Sequence, residues 1–469
     1  MTADLPPATP AQPFQDSGPV PSAERVAELR ARVGGLFDGL RGDLEALVRI
    51  PSVSNHEFDQ AFVEQSAQAV VTLLQGAGLA DAAVLRVADG APAVVGHLPA
   101  PAGAPTVLLY AHHDVQPAGE DATWQTQPFE PTVRGDRLFG RGAADDKAGI
   151  VAHVGALRAL AGELGVGVTV FVEGEEEVGS PTFLQFLHAH RDALAADVIV
   201  VADSSNWKVG VPGLTTSLRG LASAVVEVRV LDHPVHSGMY GGPVLDAPTL
   251  LARLIATLHD DRGDVAVEGL VRAPDPAVDN EEDSFRADAG VLDGVRLAGS
   301  GPLTARMWTR PALAVIGLDA PRVATASNTI APRASALLSL RLAPGQDPDE
   351  ALSALERHVH EHAPFGAPVS FTRVDRGRPF QAPADSPAMR TARWALAEAW
   401  GTDPVDIGIG GSIPFIAELL EVFPEAAILV TGVEDPDSRA HGPNESVHLR
   451  ELERAVLAEA LLLERLAPR

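Results

Sequence analysis

Four short runs free of charged residues, at 106–111, 168–172, 198–202 and 426–431, alternate along the chain with segments of helical periodicity. The clearest helix starts behind Ser22, with Val26, Leu29, Val33, Leu36 and Leu40 on one face, and stops before Pro51. Further helical segments are predicted over 57–77 and 147–164. Runs of this length between helices predict a mixed α/β sheet with buried strands. From about 215 to 376 the texture changes. Val226, Val228 and Val230 alternate with Glu227 and Arg229, and Leu338, Leu340 and Leu342 with Ser339 and Arg341, as in strands with one buried face. Helices are predicted near 246–259 and over 348–362, where Leu352, Leu355 and Val359 share a face. The expected organisation is therefore an α/β domain built from 1–214 and 377–469, with a smaller α+β domain, 215–376, inserted in it.

At 469 residues, two domains are the natural number, and 46% hydrophobic with 21% charged residues is the mix of a globular enzyme. The Pro-rich stretch 1–21 is expected to be a loose arm. A formal net charge of −27 repels phosphate backbones and anionic lipid, which argues against a nucleic-acid or membrane partner. No apolar run approaches the roughly 18 residues of a membrane span, so a cytoplasmic protein is expected. The acidic run Asn280-Glu281-Glu282-Asp283 has no apolar context and is expected to be a solvated loop. The chain has no cysteine, which removes disulfides, thiolate nucleophiles and sulfur ligands together. Any bound metal must then sit on oxygen and nitrogen.

The residues at the end of each apolar run carry the chemistry. The first run leads into His112-His113-Asp114, the second into Glu173 and Glu175-Glu176-Glu177, the third into Asp203, and the fourth into a loop containing His441. Open α/β sheets gather ligands at the carboxyl ends of their strands, so these residues can share one crevice. Asp114, two positions after His112, is spaced to orient its ring. Gly140-Arg141-Gly142-Ala143-Ala144-Asp145-Asp146-Lys147 lacks the spacing of a phosphate loop. Its small residues beside paired carboxylates instead let backbone approach a metal closely. Spacing alone leaves open which residue of the glutamate triplet is a ligand and which a base.

Taken in order, YAHHDVQP (110–117), GRGAADDK (140–147), EGEEEVGS (173–180), VVADSS (200–205), HSGMYGG (236–242), NTIAPR (328–333), LSLRL (338–342), GGSIP (410–414) and AHGPNE (440–445) resemble the M20 metallopeptidases, nearest their dipeptidase branch. The resemblance implies a zinc-peptidase-like catalytic domain with a ferredoxin-like lid and dimerisation domain. It implies two divalent ions per chain, zinc or alternatively manganese or cobalt. Their ligands would be His112 and Asp203 on one, Glu177 and His441 on the other, and Asp145 bridging. It makes Glu176 the general base, Asp114 the residue orienting His112, and His236 an oxyanion donor supplied across a homodimer. Asn328, Arg341, Gly411 and Ser412 would face the substrate, and the Asp145–Asp146 peptide would be cis. The chain departs from the branch at Ile409, where a glutamate is usual, at Asp375, where a histidine is, and at His113, where a tyrosine is. Expected substrates are dipeptides or short peptides. An N-acyl amino acid deacylase or desuccinylase is the alternative within this chemistry, and a non-catalytic binding protein on the same fold the alternative outside it.

Overall fold

The computed structural model describes residue 14, residues 18–411 and residues 414–468. Most of the arm expected over 1–21, and Ser412, lie outside them. Two compact units emerge. One runs up to Thr216 and takes in Ala382–Ile407 and the chain from Glu418 onward, while the other comprises Ser217–Gln381 and Gly408–Ala417.

In the first unit the chain forms α1 (Ala23–Val48), α2 (Ala61–Gly76), β1 (Ala83–Leu85), β2 (Ala93–Leu98) and β3 (Thr106–His112), followed by α3 (Lys147–Ala159), β4 (Gly167–Glu173), β5 (Val198–Val201) and β6 (Gly213–Leu218). In the second unit come β7 (Gly220–Arg229), α4 (Ala247–Ala256), β8 (Ala312–Asp319), β9 (Arg333–Leu342), α5 (Pro348–Glu361) and β10 (Val369–Gly377). The first unit is completed by α6 (Pro387–Trp400), β11 (Ala427–Val430) and α7 (Leu449–Leu466).

Seven of the nine strands of the large sheet run in the order β1-β2-β4-β3-β5-β11-β6. Its centre, β4-β3-β5-β11, is parallel, and the flanking pairs are antiparallel. All seven residues of β4 and all four of β5 are buried, because helices cover one face and an aromatic cluster the other. That cluster stacks Phe171 on Phe186 at 5.0 Å between centroids and sets Tyr110 edge-on to Phe171 at 5.6 Å. On the helical side α1, α3, α6 and α7 pack together. Ser22 caps α1, its hydroxyl accepting from Arg25 N.

The second unit carries a four-stranded antiparallel sheet, β8-β9-β7-β10. Ala222, Ala224, Val226 and Val228 of β7 and Ala334, Ala336, Leu338, Leu340 and Leu342 of β9 pack on one face against Leu250, Leu254, Leu352, Leu355 and Val359 of α4 and α5. Arg341, opposite Leu221 in the register, lies on the other face. The acidic run is not wholly loop: Glu282–Asp288 forms a short helix in which Glu282 pairs with Arg286 at 2.8 Å.

Candidate metal centre

Each parallel strand of the large sheet ends at a polar group. His112 closes β3, Glu173 closes β4, Asp203 comes just after β5, and His441 lies in the loop after β11. The loop 140–146 reaches the same ends and leads into α3, with Asp146 at its N-cap. Two groups of potential metal donors result. His112, Asp145 and Asp203 form one and Asp145, Glu177 and His441 the other, each with its donor atoms within 4.8 Å of one another. Asp145 belongs to both. Its Oδ1 lies 3.0 Å from His112 Nε2 and its Oδ2 2.9 Å from His441 Nε2. Glu177 Oε2 is 3.1 Å from the same His441 nitrogen.

The loop that presents Asp145 is held by a residue far along the chain. Glu445, fully buried, accepts from Gly142 N at 3.0 Å, Ala144 N at 3.0 Å and Asp145 N at 3.2 Å, and pairs with buried Arg141 at 2.6 Å. Gly142 has φ +79°, and a Cβ there would stand 2.5 Å from Val115 Cγ1, so only glycine fits the turn. The Asp145–Asp146 peptide is cis, as the resemblance leads one to expect. Asp146 Oδ2 accepts from His112 N at 3.2 Å, tying the loop to the end of β3.

Geometry also distinguishes the three glutamates. Glu175 is occupied with structure, accepting from Thr182 N at 2.7 Å and Ala91 N at 3.0 Å. Glu177 is gripped by Gln116, whose backbone N lies 3.0 Å from Oε1 and whose Nε2 lies 2.8 Å from Oε2. Glu176, mostly buried, lies in the electrostatic field of His112, Asp203, Glu177 and Asp114. The carboxylate of Asp114 accepts from the backbone of Glu176 at 3.2 Å and Glu177 at 3.0 Å. It therefore holds the glutamate turn first. His112 Nδ1 is nearer the Asp114 carbonyl, at 3.1 Å, than the carboxylate oxygen, at 3.4 Å.

Negative charge is in surplus here. Burial pushes Glu176 up to about 9, against the pull of His112 and reinforced by Asp203, Glu177 and Asp114. Asp203 rises to about 7, again through burial and with Asp145 and Glu177 adding to it. Glu434, a residue that sequence reasoning missed, is raised well above its ordinary range by burial and by Asp145 and Asp203. Asp145 is instead held well below the carboxylate range, because hydrogen bonds from His112 and His441 outweigh its burial. Buried, mutually repelling carboxylates beside two imidazoles are a donor set that divalent cations satisfy.

Gln116 and Glu445 were missed as well, although both stand inside the sequence motifs. No local pattern reports a contact made across some 60 or 300 positions. Of the departures, His113 is buried, donates through Nε2 to Pro92 O at 2.8 Å, and is pushed down to about 4 by burial. It is a neutral structural ring.

In the second unit, His236 pairs with Thr329, and Ser237 N donates to Asn328 O at 2.9 Å, so exposed His236 and exposed Asn328 are neighbours. His236 Nδ1 accepts from Gly238 N at 3.0 Å, which leaves Nε2 as the protonated, donating nitrogen of the neutral ring. Arg341 and Gly411 are half-buried. Ile409 offers its carbonyl to Arg219 N at 3.1 Å. Asp375 is exposed at a bulge opposite Ser223.

Comparison with known proteins adds a family and relatives. The model of peptidase family M20/M25/M40 matches residues 108–465. A cysteinylglycine-S-conjugate dipeptidase of Corynebacterium striatum is 37% identical over 407 residues, covering 85% of this chain and 89% of its own length. Among solved structures, the dipeptidase Dug1p of Saccharomyces cerevisiae superposes with a TM-score of 0.74 at 20% identity, over 95% of this chain and 99% of that one. The M20 family metallo-carboxypeptidase Sso-CP2 of Sulfolobus solfataricus gives 0.75 at 23% identity, over 91% and 99%. Among the described residues no helix is long and apolar enough to cross a membrane.

Proposed function

The chain belongs to peptidase family M20/M25/M40 and is a hydrolase of peptide bonds, and from that premise we propose that it is a two-metal dipeptidase. One divalent ion would be held by His112, Asp145 and Asp203 and the other by Asp145, Glu177 and His441. The observation carrying this reading is the sharing of Asp145, one carboxylate oxygen toward each histidine. Zinc suits the nitrogen and oxygen donors, with manganese and cobalt as the alternatives. The dipeptidase names of the relatives support dipeptides as substrates, cysteinylglycine and its S-conjugates first among them.

Bound at these donors, the ions would supply Lewis acidity that lowers the pKa of a water and polarises the scissile carbonyl. Glu176 takes the proton of the attacking water at its carboxylate and returns it to the departing amine. Asp114 fixes the backbone of Glu176 and Glu177. His236 donates from Nε2 to the oxyanion of the tetrahedral intermediate, and we assign that ring to the partner copy of a homodimer. Exposed Ile316 and Leu318 on the edge strand β8 support self-association of the second unit. Asn328, Arg341, Gly411 and Ser412 contact the substrate in this reading.

A panel of dipeptides against N-acetyl and N-succinyl amino acids, with zinc and with manganese, tests it. Dipeptide turnover is expected, and Glu176→Ala should keep about two metal equivalents while losing at least ~100-fold in kcat. Full activity in that variant, or preference for N-acyl substrates, overturns the assignment.

A further inference from the structure

His441 differs from the donors it joins. The side chains of His112, Asp145 and Glu177 are at most 9% exposed, whereas that of His441 is 59% exposed. Packed neighbours fix the rotamers of the buried donors, while an exposed imidazole goes where its backbone sends it. That backbone is strained. Arg439, His441 and Asn444 all take left-handed conformations, with φ of 56°, 61° and 63°. Asn tolerates this region through local hydrogen bonds, but for Arg and His it is sterically unfavourable, and such residues persist only where the surrounding structure over-determines them.

The group that does so is Arg137. It opens the short strand Arg137–Phe139, which pairs antiparallel with Ser446–His448 just past the loop. Its Nη1 and Nη2 donate to the two carboxylate oxygens of Asp435 at 3.0 Å each. Nη2 also reaches Ser438 Oγ at 3.2 Å and Ser446 O at 3.1 Å, and Nε donates to Ser446 Oγ at 2.8 Å. One guanidinium thus grips both ends of the loop 435–446. The neck closes on itself as well, with Ser446 N donating to Ser438 O at 3.0 Å, Ser438 N to Asp435 O at 2.8 Å and Asp435 N to Ser438 Oγ at 3.0 Å. Asp435, Ser438 and Ser446 are at most 4% exposed, so water competes little for these bonds. Farther along, Asn444 Oδ1 accepts from Gln125 N at 2.6 Å and Nδ2 donates to Thr123 O at 3.2 Å. His441 lies between these two anchors, in a turn closed by Gly442 N on Arg439 O at 2.9 Å.

We propose that Arg137 is the positioning residue for His441. By locking the neck of the 435–446 loop it holds a strained backbone in the conformation that brings the imidazole to Asp145 and Glu177, so that the affinity of one metal position, and not of the other, depends on it. This rests on the two-metal reading. It places a determinant of the centre at a residue that is no donor itself and stands outside every motif that pointed to the site.

The test is zinc and cobalt(II) titration of the chelated full chain, followed with a competing chelator and by the cobalt absorption spectrum, in wild type, Arg137→Met, Arg137→Lys, Ser438→Ala and His441→Ala. His441→Ala marks the binding step that belongs to its position. Arg137→Met should weaken that same step about 10–100-fold and leave the other within about threefold, with the spectrum of the retained ion unchanged. Arg137→Lys should recover part of the loss, since an ammonium keeps the charge without the fork onto both oxygens of Asp435. Excess zinc should restore kcat in Arg137→Met at unchanged KM, which a damaged fold would not allow. If Arg137→Met does not fold, Ser438→Ala, which deletes one hydroxyl from the same neck, should show the same selectivity at smaller size. Equal weakening of both steps, or of neither, overturns the proposal. A wild type that takes up a single ion refutes the two-metal reading instead. The role of Arg137 then requires that Arg137→Met weaken that ion as His441→Ala does, and is refuted if it does not.

Discussion

Replacing Glu445 should show how much of the metal centre depends on one buried side chain. Its carboxylate is wholly inaccessible and accepts from Arg141 and from three backbone N–H groups of the 142–145 loop. Removing it in Glu445→Ala leaves Arg141, itself 1% exposed, without a carboxylate, holding Gly442 O at 3.2 Å, Pro117 O at 3.4 Å and the Trp124 ring at 5.5 Å. Breaking a buried pair from one side costs about 3–5 kcal/mol. Each orphaned N–H adds about 1 kcal/mol or more unless water reaches it. These losses overlap, so the expected destabilisation is at least ~4 kcal/mol for Glu445→Ala. It should be about half that for Glu445→Gln, which keeps one acceptor oxygen. Adding Arg141→Met to Glu445→Gln should recover stability, since the stranded charge is then gone. Urea unfolding of the chelated protein gives the stability term. A competing chelator gives the metal term, expected to weaken about 10–100-fold as Asp145 loses its support. If Glu445→Ala unfolds within ~1 kcal/mol of wild type and binds metal equally well, the cradle has been misjudged.

Gln116→Leu removes the side-chain grip on Glu177 while leaving the strand intact; metal affinity should fall about 10–100-fold with an unchanged circular dichroism spectrum, and an unchanged affinity would count against the role. The buried pair of His153 and Glu459, 2.8 Å apart, predicts a pH dependence of stability. Although burial opposes it, Glu459 raises His153 above its ordinary 6.5. A raised folded pKa contributes stability that is complete below 6.5 and fades as pH climbs through the folded value. The melting-temperature gap between wild type and Glu459→Gln should therefore be widest near pH 6 and narrow toward pH 8.5. A gap that widens with pH contradicts the pairing.

The parallel strands were legible because burial on both faces leaves uninterrupted apolar runs, and the candidate donors were legible because three runs lead straight into a histidine or an acid and the fourth into the loop that carries His441. β2 was not, since Pro92 and Gly96 break its pattern even though it pairs along β4. α7 starts directly from His448 with no side-chain cap to announce it. Within the site, Glu175 and Glu177 separate only when the turn gives them different partners, Thr182 and Ala91 for the one and Gln116 for the other, while Glu176 is left among the charges of His112 and Asp203. Glu434 is the first charged residue after the fourth run, yet stands in none of the motifs that carried the reading. Its significance lies in the buried carboxylates gathered near it.

The cradle around Asp145 has a consequence for the order in which the molecule comes into being. His112, Asp145, Glu177 and Asp203 leave the ribosome well before residues 217–381, whereas His441 and Glu445 emerge after them. A nascent chain that has already produced four of the five proposed ligands therefore still has the loop's N–H groups without their acceptor. On the two-metal reading, metal loading should wait until almost the last residues are made, and a chain stopped short of Glu445 should copurify with less than one equivalent of metal.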